Sequence, residues 1–86
     1  MTHHDLKSYP VLFQSVVERK RLFEIRRNDR GYQTGDTFTL HEYSYENGDR
    51  YTGRTISGRI GHIDAHAQVD GYVVFSLLDL GLLIVN

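Results

Sequence analysis

The chain contains no cysteine. Disulfides and thiolate zinc sites are therefore excluded as sources of stability, and the composition fits a reducing compartment. No apolar run is long enough to cross a bilayer, which takes ~20 residues; the longest, near the C-terminus, is interrupted by Asp79. Met1 to Lys7 is polar with no apolar segment behind it, so no secretory leader is expected, and with the missing cysteine this predicts a cytoplasmic location with no membrane contact. Excess positive charge is also missing. The formal net charge is −1, whereas proteins that coat nucleic acid are strongly basic, so any contact with a polyanion has to be local. There is no repeat, low-complexity tract or linker, no Gly-rich phosphate loop and no Ser-His-Asp pattern.

What remains is 86 residues, which predicts a single domain over 1–86. A domain this small buries only about 60–65% of its unfolded surface, so its packing has to be good. The chain is organised around RKRLFEIRRNDR, Arg19 to Arg30, which holds six of the ten Lys and Arg residues. Its middle, Leu22 to Arg26, alternates as a strand does. The alternation predicts Phe23 and Ile25 on a core face and Glu24 with Arg26 on the opposite, open face.

Before this stretch, His4-Asp5-Leu6-Lys7 predicts a short first strand. Pro10, the one proline, suits the first position of a helix. Leu12 with Val16, and Phe13 with Val17, give that helix its apolar spacing up to about Arg19 or Lys20. After the basic stretch, Asn28 to Gly31 and Gly35-Asp36 read as turns. Thr37 to Tyr43 alternates, with Phe38 and Leu40 on one face and Thr37, Thr39, His41 and Tyr43 on the other, and Glu46-Asn47-Gly48-Asp49 signals a hairpin. The returning strand from Arg50 to Ile63 is interrupted by Gly53, Gly58 and Gly61, the pattern of bulges and close backbone approach. Gly71 to Leu78 predicts a central strand, and Leu80 to Val85 a last short strand, a cover over the barrel end, or an exposed surface for oligomerisation. The fold class expected is α+β, mainly β: an N-terminal helix packed on a small barrel of five to six strands.

Several words in this order resemble a bacterial and phage family of unknown function within the ASCH group of the PUA-like superfamily: HDLK (4–7), FEIRRNDR (23–30), GDT (35–37), HEY (41–43), YTGR (51–54) and GYVVFS (71–76). The resemblance covers nearly the whole chain and implies a cleft between helix and barrel that holds RNA or a nucleotide-like ligand. The group's G-x-K-x-x-E-x-R signature, laid on this chain, puts Glu24 and Arg26 at its Glu and Arg. Arg19 and Arg21 stand at its Gly and Lys. Some enzymes of the group hydrolyse acylated cytidine with that Lys and with a Thr where Glu24 stands. Arg21 keeps its proton in proteins, so that route has no amine here and binding is favoured over catalysis.

The candidate binding set is Arg21, Glu24, Arg26, Arg27, Arg30 and Tyr43. Arginine forks suit phosphate, and tyrosines offer a stacking surface for bases. A self-satisfied salt-bridge cluster at Arg21, Glu24 and Arg26, and turn residues at Asn28 and Asp29, are the competing explanations. His4, Lys7 and Glu24 are the acid–base candidates for the alternative of a small hydrolase on a modified nucleoside or nucleic acid. His4 is equally accounted for as a surface residue. A third alternative is a phage or bacterial protein-interaction module. His62, Asp64 and His66 could reach one metal ion only if extended; neither metal nor cofactor is expected.

Overall fold

The computed structural model describes residues 1–46 and 48–86. These form one helix, α1 (Pro10–Val17), and six strands: β1 (His3–Ser8), β2 (Phe23–Arg27), β3 (Thr37–Ser44), β4 (Arg50–Asp64), β5 (Tyr72–Leu78) and β6 (Ile84–Val85). The sheet order is β1-β3-β4-β5-β2, with β6 on β4. β1 runs parallel to β3, and the remaining pairs are antiparallel. The sheet curls into a half-barrel. The expected mainly β architecture with one N-terminal helix is therefore present. Among the described residues, no helix is long and apolar enough to cross a membrane.

Inward positions follow the two-residue strand period. Leu6, Phe38, Leu40, Ile56, Ile60, Val73, Phe75 and Leu77 fill the barrel, and Phe13 and Val16 of α1 close one side of it. α1 is shorter than its sequence signals predict. It stops at Val17, Glu18 caps it, and Arg19 adopts a left-handed φ of 59°. The Arg19 guanidinium turns back to donate to the carbonyls of Val17 and Gly81, so this cation closes the helix end and takes no part in the groove described below.

The long strand β4 bends where the glycines predict. Its register to β5 shifts between Ile60 and Ile63, around Gly61. At Gly58 the Leu78 carbonyl and the Phe38 ring come so close that a Cβ would meet them at 2.7 and 2.8 Å. The β3–β4 hairpin is present, with Ser44 opposite Arg50; Asn47 of its turn signal lies outside the described residues. The C-terminal segment is tied to β4 within the chain, by Gly81 N to Ser57 O and Asn86 N to Gly53 O, with Ile84 and Val85 exposed.

The face assignment within β2 is corrected. Phe23 and Ile25 are 42% and 47% exposed, while Glu24 is 3% exposed. Alternation holds, but its sense is inverted. Two guanidinium groups neutralise Glu24 inside the curl, and one of them, that of Arg21, also lies 4.8 Å from the centroid of the partly exposed Phe23 ring. Periodicity distinguishes two faces; which one enters the core depends on whether a buried charge finds partners.

Candidate functional site

The two ends of the sheet, β1 and β2, come together across a slot without a backbone ladder between them. Two arginines bridge it. Arg26 of β2 donates to the carbonyl of Lys7, and Arg30 of the following loop donates to the carbonyl of Asp5 at 2.7 Å. Two cavities open along the slot. The smaller, about 250 Å³, lies between the start of α1 and β2 and is lined by Ser8, Tyr9, Leu12, Arg21, Glu24 and Tyr72, among others. The larger, about 600 Å³, lies between β1 and the 26–30 segment and is lined by Asp5, Arg30, His41 and Tyr51. Lys7 and Arg26 line both, so the two form one groove.

Glu24 organises the floor of this groove. Its Oε1 accepts from Arg26 Nε at 3.0 Å and Nη2 at 2.8 Å, and its Oε2 accepts from Arg21. The carboxylate is thus consumed by its neighbours, and it aims their remaining N–H groups. Arg27 lies over the Tyr72 ring, 5.6 Å from its centroid. Lys7 Nζ lies 4.3 Å from the centroid of Tyr43. Tyr43 packs edge-on against Tyr51, whose ring is the more exposed of the two. The structure therefore brings Arg21, Glu24, Arg26, Arg27, Arg30 and Lys7 to one groove, with Tyr43 beside its larger end.

Ser8 was missed by sequence reasoning. It ends β1 pointing inward, is 3% exposed, and lines the smaller cavity. Among the described residues its hydroxyl is the buried side-chain polar atom with no hydrogen-bond partner. Buried polar groups in proteins nearly always have partners. Nothing in HDLKSYP distinguishes this serine from an ordinary residue before a helix. Asp5 and His41 were also missed, although strand alternation places them on the same outer face as Lys7.

His4 does not line the groove. It is 4% exposed, and its Nε2 lies 2.8 Å from Asp36 Oδ2. Asp36 also accepts from the backbone N–H groups of Thr2 and Gln33, and the His4 ring packs on Tyr32. Neither an exposed histidine nor a proton-transfer group at the groove fits this placement. His4 and Asp36 instead fasten the β2–β3 loop beneath β1. The hydrogen bond from His4, helped by those backbone donors, holds the Asp36 carboxyl below its ordinary value of 3.8. A carboxyl with a lowered folded-state value contributes stability above its unfolded value, and that contribution is lost as pH falls through the folded one. An Asp36→Asn variant is therefore expected to be less stable than the parent at about pH 6, with the gap closing below about pH 3.8. Urea midpoints measured across that range check this; a gap that stays constant would refute it.

The H-x-D-x-H pattern resolves locally. Asp64 accepts from the His66 backbone N–H at 2.8 Å, and His62 Nε2 lies 3.5 Å from Asp64. Among the described residues, no three metal-binding side chains converge.

Residues 3–77 match the profile of a domain of unknown function, DUF3850. The chain belongs to the DUF3850 family. An uncharacterized 12.9 kDa protein in the GpA 3′ region of Escherichia phage P2 is 35% identical over 72 residues, covering 83% of this chain and 63% of the phage protein. The DUF3850 chain thus spans less than two thirds of the length of that relative. The part matched to the DUF3850 profile runs from β1 into β5, so it contains both walls of the groove and every residue named in it.

Proposed function

We propose that this DUF3850 chain binds single-stranded RNA or a nucleotide-like ligand in the groove between β1 and β2, and that it is a branch of the ASCH group in the PUA-like superfamily. One observation carries the reading. In a chain of net charge −1, five cations, Lys7, Arg21, Arg26, Arg27 and Arg30, line one continuous groove. Of the carboxylates there, Glu24 is already neutralised. A phosphate backbone is the partner that such a stripe attracts. Tyr51 and Tyr43 offer aromatic surface at one end. At the other, the cavity of about 250 Å³ is smaller than the ~300–1,000 Å³ that holds a drug-sized ligand, so it suits a single ring. Ser8 Oγ is the free polar group with which that ring would bond.

Fluorescence anisotropy with a short labelled single-stranded RNA tests this. Binding is expected to weaken steadily with salt, since phosphate contacts release counterions. Ser8→Ala is expected to weaken it ~2–10-fold, the worth of one neutral hydrogen bond, and Ser8→Val to weaken it further by filling the cavity. No binding at low salt, or affinity insensitive to salt, would overturn the reading.

A further inference from the structure

A site that only holds a polyanion has no use for a carboxylate that no guanidinium neutralises. Asp5 stands in the larger cavity with its side chain 68% exposed. It bonds His41: Asp5 Oδ1 and His41 Nε2 are 2.9 Å apart. β1 and β3 run in parallel register with Lys7 beside His41, so Asp5, Lys7 and His41 share the outer face of the sheet. Tyr51 flanks His41, with ring centroids 6.0 Å apart. Arg26 and Arg30 reach the same cavity from across the slot.

We propose that this face cleaves bound single-stranded RNA by transesterification, with His41 as general base and Lys7 as general acid. Asp5 accepts hydrogen bonds and cannot donate them when ionised. It therefore keeps the His41 proton on Nε2 and leaves the Nδ1 lone pair free, and His41 is held to it in turn. Asp5 acts through His41 and is a positioning residue. The ribose 2′-hydroxyl gives its proton to His41 Nδ1, and the 2′-oxygen attacks the adjacent phosphorus. The bond from phosphorus to the 5′-oxygen breaks, and that oxygen takes a proton from the Lys7 ammonium. The products are a 2′,3′-cyclic phosphate and a 5′-hydroxyl. His41 ends protonated and Lys7 neutral, and exchange with water restores both. No metal or co-reactant enters the balance. Arg26 and Arg30 hold the non-bridging oxygens, and Tyr51 stacks a neighbouring base.

This inference rests on the RNA-binding reading, and one experiment separates the two. The full chain is incubated with end-labelled single-stranded RNA in the presence of a chelator, and binding and cleavage are measured in parallel. Fragments ending in 2′,3′-cyclic phosphate are expected, with none from a strand of 2′-deoxy sugars that still binds. His41→Ala is expected to cut cleavage at least ~100-fold, in the range that general acid–base groups contribute, with affinity changed less than ~3-fold. His41→Gln serves if the alanine variant fails to fold. His62→Ala, at an exposed histidine away from the cavity, is expected to keep the parent rate. Asp5→Asn is expected to lower the cleavage rate with affinity little changed, and Asp5→Glu, which keeps an acceptor-only carboxylate for His41, to recover part of that rate. RNA that binds but stays intact, or His41→Ala cleaving at the parent rate, would overturn the cleavage and leave the binding reading standing. RNA that does not bind would overturn both.

Discussion

A Glu24→Ala variant is expected to melt at least ~12 °C below the parent. Glu24 is 3% exposed and accepts from both Arg21 and Arg26, whose side chains are only 14% and 23% exposed. Removing it leaves two guanidinium groups facing each other in a half-buried site. Breaking a buried pair by deleting one partner costs about 3–5 kcal/mol, and in a domain this size each kcal/mol corresponds to ~4–8 °C. The triple replacement Arg21→Met, Glu24→Leu, Arg26→Met is expected to melt close to the parent, because an apolar triad of similar volume needs no charge partners. Thermal unfolding by circular dichroism checks both. A Glu24→Ala variant melting within a few degrees of the parent would show that the triad carries no structural weight.

The second large effect is on binding. Lys7→Ala combined with Arg30→Ala removes the two cations of the groove that Glu24 does not engage and that stand nearest the larger cavity. Hydrogen bonds to charged groups are worth about 1.5–3 kcal/mol, so each lost phosphate contact is expected to weaken single-stranded RNA ~10–100-fold. The slope of log affinity against log salt should shrink by ~1.4, at ~0.7 per phosphate on a single strand. Both side chains are exposed, and the one bond lost between the strands, from Arg30 to the Asp5 carbonyl, is itself exposed, so the melting temperature is expected to fall by no more than ~4–8 °C; that separates this variant from Arg26→Ala, which also strips Glu24 of a partner. Unchanged affinity and slope in the double variant would place the anion contacts elsewhere.

The residues behind these predictions mark where the sequence was informative. Period and punctuation located the elements: Pro10 starts α1, Phe38 and Leu40 share one face of β3, and the glycines of β4 mark its bend and close contacts. Those signals are local, and local signals survive folding. The sense of a face is not local. Phe23 and Ile25 were expected inside because apolar residues usually are, and the opposite holds because Arg21, three residues before Glu24, folds back to share it with Arg26. The same limit hid the His4–Asp36 pair and the unpartnered Ser8, since burial of a lone histidine or serine depends on what packs over it. The candidate cations were visible as a charge cluster. That Lys7 joins them follows only from β1 and β2 meeting at the slot, which no spacing in the chain reveals.

That meeting has a consequence for how the molecule assembles. β1 waits for β3, and β2 waits for β5, so both walls of the groove depend on strands far along the chain. Contacts of high sequence separation form late and slowly. The pairings of shortest range are those of the β3–β4 hairpin and of β4 with β5, and they contain neither wall. A chain holding only those pairings would have no groove. It comes into being at the step that completes the sheet, and the Arg26 and Arg30 bridges latch two strands that arrive by separate routes.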